Sequence, residues 1–383
     1  MRFVMFYHSL VSDWNHGNAH FLRGYASELV ERGHDVVVYE PEEGWSRRHL
    51  MAEHGREPLA EFAAAYPELR GRFYSRGALD LDRALRGADV VIVHEWNDPE
   101  LVAAVGAHRE RHRFRLLFHD THHRAASDPG ALGAFDLSRY DGVLAFGQVL
   151  ADIYRARGWA DRVFVWHEAA DTRIFRPLPS ASIPQLDLVW IGNWGDDERA
   201  AELAEFLLEP VRELSLRAEV WGVHYPEHAQ AALATAGIRY RGWLPNFHVP
   251  RVFARARVTV HVPRRPYAEA LTGIPTIRPF EAMACGIPLV SAPWRDTEHL
   301  FREGSDYRMA RTGAEMVGHL RALLDHPDEA CAQAEAALST IDARHTCRHR
   351  VDQLLTIIDG FDGFDGFDGL EGRGRGRREA TAA

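Results

Sequence analysis

Short, continuous apolar runs alternate with longer amphipathic stretches along most of the 383-residue chain. That alternation limits the fold more than any single motif. Continuously apolar strands belong to parallel sheets buried on both faces, and amphipathic helices must cover those faces. In the first half the β-branched or aromatic runs are 2–7, 35–40, 89–94, 114–119, 142–146 and 163–166. Helical patterns fill 18–32, 57–65, 98–111 and 147–157. The second half repeats the arrangement, with strand runs at 186–191, 218–222, 238–240, 257–262 and 287–291. Its helical patterns are 196–215, 226–236, 278–285, 312–325 and 328–342. A Pro/Ser-rich stretch, 177–184, separates the halves and reads as a linker. The expectation is an α/β protein of two doubly wound domains, about 1–180 and 183–343, facing each other across a cleft. The length agrees, at roughly 100–200 residues per domain.

Residues 344–358 continue as one more helix. Beyond them, 359–383 contains three Phe-Asp-Gly repeats and an Arg/Gly run at 372–378. Such low-complexity sequence buries no core, and a disordered tail is expected.

All 45 Lys-plus-Arg positions are arginine; the chain has no lysine. This excludes the usual P-loop, the pyridoxal-phosphate Schiff base and the protein kinases, each of which needs a Lys. Any anionic ligand must be held by Arg, by backbone N–H groups or by helix N-termini. The formal charge of −10 argues against a dedicated nucleic-acid binder. Cys285, Cys331 and Cys347 are widely spaced, which fits a reducing compartment rather than a disulfide framework. The apolar start, Met1–Tyr7, is too short for a signal peptide, and no apolar run approaches the roughly 20 residues of a membrane span. A cytoplasmic protein without an integral membrane segment is expected.

Ligands of open α/β sheets bind outside the carboxyl ends of the strands, so the loops there carry the candidate chemistry. After the first run, Gly17 and Asn18 mark the turn into helix 18–32. They read either as an ordinary βα loop with a capping Asn or as a ligand loop. The segment Phe118-His119-Asp120-Thr121-His122-His123-Arg124 follows another strand. His119 and Asp120 can act as general base and orienting partner, or the histidines can simply cap backbone groups. The 119/122/123 spacing matches no metal-ligand pattern, and no metal is expected. Asp80-Leu81-Asp82 opens a helix and reads as its acidic first turn, not as a metal–nucleotide site.

In the second half, loop 191–199 reads Ile-Gly-Asn-Trp-Gly-Asp-Asp-Glu-Arg. Gly192 and Gly195 allow a ligand close to backbone, and Asn193 and Arg199 can meet phosphate oxygens. Further on, Arg264 and Arg265 lie in a basic loop after strand 257–262. Arg278-Pro279-Phe280-Glu281 then opens a helix that ends before Gly286. Glu281 there either complements its own helix dipole or accepts from ribose hydroxyls.

The segment 280–290, FEAMACGIPLV, is similar to the E-A-M-A-x-G-x-P-V motif of retaining, family-four-like glycosyltransferases of the GT-B fold. Segments 24–39 (GYASELVERGHDVVVY) and 240–263 (YRGWLPNFHVPRVFARARVTVHVP) resemble further parts of those enzymes in the right order. GIPTIRPFEAMACG, FHDTHHR and WIGNWGDDER together resemble the CgeB-like, spore-maturation branch. The resemblance covers about 1–355. It implies two Rossmann-like domains, with an unidentified acceptor in the first and a nucleotide-diphosphate sugar donor in the second, and no required cofactor or metal. The donor would meet Gly192, Asn193, Trp194, Arg199 and Arg265, the base would lie by Trp243 and Leu244, and Glu281, between Phe280 and Ala282, would take the ribose. His119 matches the histidine that lines the transfer site of relatives, and the last helix would cross back over the first domain. The chain departs from the family at Gly273, where many relatives carry a first Glu, and in lacking the Lys of the usual Arg/Lys diphosphate pair. A sugar-nucleotide epimerase of the same fold, a non-catalytic surface or spore-assembly module and, last, an NAD-dependent oxidoreductase are the alternatives.

Overall fold

The computed structural model describes residues 1–371 other than 76, 110 and 180–183. The domain limits expected at 180 and 183, part of the predicted linker and the Arg/Gly run from 372 lie outside the described residues.

Two parallel sheets form the molecule. The first has seven strands: β1 (Arg2–Phe6), β2 (Asp35–Pro41), β3 (Gly71–Tyr74), β4 (Val90–His94), β5 (Arg115–Asp120), β6 (Gly142–Ala145) and β7 (Val163–Val165), in the order β3-β2-β1-β4-β5-β6-β7. The second has six: β8 (Leu186–Ile191), β9 (Ala218–Trp221), β10 (Ile238–Tyr240), β11 (Ala256–His261), β12 (Leu289–Ser291) and β13 (Arg308–Met309), in the order β10-β9-β8-β11-β12-β13. Strand order reverses between β1 and β4, and again between β8 and β11. Each reversal opens a crevice at the carboxyl edge of its sheet.

Side-chain alternation distributes the apolar residues to both faces. Phe3, Met5 and Tyr7 enter one core, whereas Val4 and Phe6 enter the other. The first of these cores continues into the second domain through Phe280, Met283, Leu289 and Ile341. The two domains are therefore packed on shared apolar surface.

Several features depart from the sequence expectation, among them the unexpected helix Trp45–His54. β3 and β13 were not expected; β3 is an exposed edge and β13 has two residues. Helix 196–215 is broken into a 3-10 turn (Asp196–Glu198), a short helix (Ala200–Leu203), a π-turn (Ala204–Leu208) and a last segment, Glu209–Glu213. Pro210 has no N–H to offer the preceding turn, which accounts for the widened helix just before it. The final helix runs Cys347–Glu371, so it continues beyond 358 into the Phe-Asp-Gly repeats. Its described part docks on the first domain. Trp166 Nε1 donates to the Arg350 carbonyl (2.8 Å), Arg350 Nε donates to the His167 carbonyl (2.8 Å), and Phe361 meets Phe164 edge-on at 5.7 Å. Among the described residues no helix is long and apolar enough to cross a membrane.

Candidate functional site

The carboxyl edges of the two sheets face a shared cleft of about 490 Å³. From the first domain it is lined by His8, Asp13, Gly17, Asn18, Trp45, Trp96, His122, His123 and Glu168, among others. From the second come Gly192, Asn193, Arg199, Trp243, Leu244, Arg264, Tyr267, Arg278 and Ala282. Several contacts tie the walls together. Asn193 Nδ2 donates to Asn15 Oδ1 (2.7 Å), and Trp243 Nε1 donates to Asp13 Oδ1 (3.1 Å). Gly17 approaches Ile277 so closely that an added Cβ would sit 3.3 Å from Ile277 Cγ2. Asn18 makes no side-chain cap to its helix; Nδ2 instead donates to Thr121 beyond β5.

The proposed pair His119–Asp120 is corrected by strand geometry. Both lie at the end of β5, where successive side chains take opposite faces. His119 points into the core beside Trp166, 4.9 Å between rings. Its Nδ1 lies 2.6 Å from Tyr7 Oη, to which Tyr25 donates in turn (2.7 Å). Asp120 accepts from Tyr154 Oη (2.7 Å) and His122 N (3.0 Å) on the other side. Asp120 therefore cannot orient His119, and neither lines the cleft. Burial pulls the His119 imidazole down to about 3 and pushes the Asp120 carboxyl up to about 6. His122 and His123, further along the same loop, are the histidines that reach the cleft.

Three more candidates lie away from it. Trp194 is buried in the second domain's core against Tyr225. Phe280 is buried against Phe301 and His345. Arg265 turns to the opposite side of its loop, where Nε pairs with Glu202 (2.8 Å) beside a separate cavity of about 1310 Å³. Its neighbour Arg264 takes the cleft side and pairs with Glu198 (2.8 Å). Asp80 caps its helix by accepting from Arg83 N (3.0 Å), as its sequence context implies.

Glu281 is fully enclosed and is not among the residues lining the cleft. Its Oε1 accepts from His20 Nδ1 (2.9 Å) and Asn246 Nδ2 (2.7 Å), while Oε2 accepts from Arg278. His20 Nε2 accepts from Asp171 N (2.7 Å), so this ring carries its proton on Nδ1. Burial raises the Glu281 carboxyl, but Arg278, His20 and Asn246 outweigh it and leave the group below its ordinary value. The carboxylate joins the domains and aims Arg278 into the cleft; it has no oxygen free for a ribose there.

Arg199, Arg264 and Arg278 converge around the start of helix Ile277–Ala284. Arg199 is half-buried, with Nη1 donating to the Val262 carbonyl (3.0 Å) and Nη2 to Asn193 Oδ1 (2.6 Å). Burial first, then Arg264 and Arg278, draw its guanidinium down to about 9. Mutual repulsion of this kind is relieved by an anion. Opposite them, the Glu168 carboxyl is 3% exposed and without a hydrogen-bond partner among the described residues. Burial, then Glu281, raise it to about 8 against the pull of Arg278. Sequence reading missed Glu168 and Arg278 because the context that selects each is contributed by the other domain. No group of three or more His, Cys, Asp or Glu that could hold a metal occurs among the described residues.

Residues 16–174 match the family model Glycosyltransferase Family 4, and residues 199–356 match one described as Glycosyl transferase-like. Anabaena HepE, solved in complex with UDP and glucose, superposes with a TM-score of 0.68 at 14% identity, covering 94% of this chain and 99% of that one. The chain has the GT-B glycosyltransferase fold. Sucrose-phosphate synthase from Thermosynechococcus elongatus (TM-score 0.62, 13% identity, 95% and 99% covered) has it too. So does an alpha-glucosyltransferase solved with UDP and DNA containing a modified base (0.63, 12%, 94% and 99%). No curated protein matches the chain by sequence.

Gly273, which is not among the residues lining the cleft, has a physical explanation. Its φ is +96°, and an added Cβ would lie 2.5 Å from Thr297 Oγ1. Loop 296–300 thus fills the space in which a glutamate stem would start. Glu298 brings a carboxylate near, but its oxygens accept from Gln148 N (2.9 Å) and His167 Nε2 (2.7 Å) across the domain boundary.

Proposed function

We propose that this chain transfers a glycosyl group from a nucleotide-diphosphate sugar to an acceptor hydroxyl. The observation that carries the reading is the convergence of Arg199, Arg264 and Arg278 on one helix N-terminus, at the carboxyl edges of both sheets. Guanidinium groups and N–H dipoles there can stabilise the charge that develops on a leaving diphosphate. No step of this reading needs a metal ion. Arg264 and Arg278 meet the diphosphate, Arg199 braces the Gly192–Asn193 loop beneath it, and the base lies against Trp243 and Leu244. Glu281 holds Arg278 and His20 in place from behind.

UDP is the first nucleotide to test, because HepE and the alpha-glucosyltransferase were solved with it. A retaining outcome, a hexosyl group and membership of the CgeB-like branch are part of the proposal and rest on the resemblance of 191–199, 118–124 and 273–290. The three free cysteines support a cytoplasmic setting. The Gly273 departure favours a second reading, a GT-B-like assembly module without turnover. The test is a panel of UDP- and other nucleotide sugars, with binding measured by calorimetry and turnover by released nucleotide. Binding that Arg278→Ala weakens supports the donor reading. Binding without turnover on any acceptor favours the module, product from donor alone means an epimerase, and no binding of any member ends the proposal.

A further inference from the structure

The two sides of the cleft differ in kind. On the second domain's side the lining carries three arginines, Arg199, Arg264 and Arg278. On the first domain's side four adjacent strand ends each supply an aromatic ring: Trp45 after β2, His8 after β1, Trp96 after β4 and His122 after β5. These strands are neighbours in the sheet, so the four rings sit side by side.

The rings form one corner. Trp45 stacks on His8 with centroids 5.4 Å apart and planes 11° from parallel. Trp96 meets His122 edge-on at 5.0 Å and Trp45 at 6.3 Å. Close approach of the backbone makes this possible, since a Cβ on Gly44 would lie 2.9 Å from the His8 carbonyl oxygen. Both indoles are half-buried and neither Nε1 has a hydrogen-bond partner among the described residues. Both His8 ring nitrogens and His122 Nδ1 are also unpartnered. Burial, then Arg124, pulls His8 down to about 3, and burial, then His123 and Arg124, pulls His122 to about 2. The corner is therefore uncharged. Arg124 beside it is occupied by Glu95 and lies over the Trp96 ring at 4.3 Å.

We infer that this corner is the acceptor subsite and that it takes an uncharged carbohydrate, whose apolar ring face packs into the angle between the Trp45 and Trp96 indoles and whose hydroxyls meet His8, His122 and the indole N–H groups. A neutral imidazole offers one donor and one acceptor, as a hydroxyl does. Amphipathic aromatic walls with a few convergent polar groups suit a ligand that is apolar on its face and polar on its rim. Among the described residues the cation beside the corner is Arg124, which Glu95 already holds, so the corner is less suited to an anionic acceptor. The inference rests on the transferase reading above, which places the donor on the arginine side.

The ten tryptophans give a direct probe. The full chain is labelled with 5-fluorotryptophan, and the ¹⁹F lines of Trp45, Trp96, Trp190 and Trp243 are assigned from single Trp→Phe variants. UDP is added to saturation, then methyl glycosides of glucose, galactose, mannose and N-acetylglucosamine, and separately glucose 1-phosphate. The expected result is movement of the Trp45 and Trp96 lines with at least one neutral glycoside, with affinity at least tenfold weaker in His122→Ala. The inference is overturned if no glycoside moves those lines, or if glucose 1-phosphate binds as tightly as the neutral glucoside. The donor reading is tested by other lines: if UDP moves neither Trp190 nor Trp243, that reading fails, whatever Trp45 and Trp96 do.

Discussion

Replacing Glu281 separates two roles for one carboxylate. The family resemblance makes it a ribose ligand, whereas its surroundings make it a buried hub between domains. Glu281→Ala removes the acceptor of His20 Nδ1, Asn246 Nδ2 and the Arg278 guanidinium together. His20 and Asn246 are both buried, so bulk solvent does not reach the donors that lose their acceptor. Removing one partner of a buried charged network costs about 3–5 kcal/mol. Arg278 is 31% exposed in its side chain and recovers part of its share from solvent, so the lower half of that range applies. Glu281→Gln keeps the oxygen that faces His20 and Asn246 and loses the bond to Arg278, and about 1–2 kcal/mol is expected. Urea unfolding, followed by both far-ultraviolet circular dichroism and tryptophan fluorescence, reads the loss and reveals whether the two domains separate. The native carboxyl lies below its ordinary value, so its stabilisation is full above about pH 4.3 and is lost as pH falls through the native value. The difference between wild type and Glu281→Ala must close in acid. Wild-type stability in Glu281→Ala, with UDP affinity reduced tenfold or more, would refute the hub and restore the ribose contact.

Further outcomes follow from the same geometry. Arg278→Ala is expected to weaken UDP binding by about 10- to 100-fold, the scale of one charge-assisted contact, and calorimetry at fixed salt reads it; unchanged affinity removes Arg278 from the clamp. Glu168, raised to about 8 in the folded protein, contributes through its protonated form, fully below about pH 4.3 and progressively less as pH rises through 8. Wild type should therefore lose stability against Glu168→Gln between those limits and run parallel to it outside them, and a difference that is flat with pH would contradict a buried, unpaired carboxyl. Arg350 is 2% exposed and donates to His167 O, Arg344 O and His345 Nδ1. Arg350→Ala should free the last helix from the first domain at a cost of about 3 kcal/mol, seen as faster amide exchange across 347–361, and unchanged exchange would show that apolar packing alone holds the helix.

The repeated strand–helix alternation made the architecture legible. Each buried strand run is continuous and each covering helix is amphipathic, so pattern alone led to two doubly wound sheets. The edge strands escaped because Gly71–Tyr74 is exposed and Arg308–Met309 is too short to show a pattern. At the cleft, loops were legible but side-chain directions were not. Gly17, Asn18, Gly192, Asn193, Trp243 and Leu244 all line it. For His119 and Asp120, strand alternation was available from the sequence and would have shown that adjacent residues cannot share a site. Arg264 against Arg265 depended on which side of a turn faces the other domain, and Glu168 on Glu281 and Arg278, more than 100 positions away. That information is tertiary.

The missing lysine has a specific consequence at Arg199. Burial, then Arg264 and Arg278, lowers this guanidinium to about 9. It remains charged at neutral pH. An amine has a lower ordinary value than a guanidinium, and the same environment lowers it further. Lysine there would give up its charge at a lower pH than arginine, and it would lose the fork that reaches the Val262 and Asn193 oxygens together. Arginine is thus the side chain that stays cationic at a half-buried position among other cations. Between pH 6 and pH 8 Arg199→Lys should lose UDP affinity relative to wild type, by about tenfold if one phosphate contact depends on the charge, with Glu168 and the nucleotide titrating in both proteins alike. A variant whose pH profile runs parallel to that of wild type would mean that the charge at 199 is not felt by the nucleotide, and would leave Arg199 as a brace of the Gly192–Asn193 loop alone.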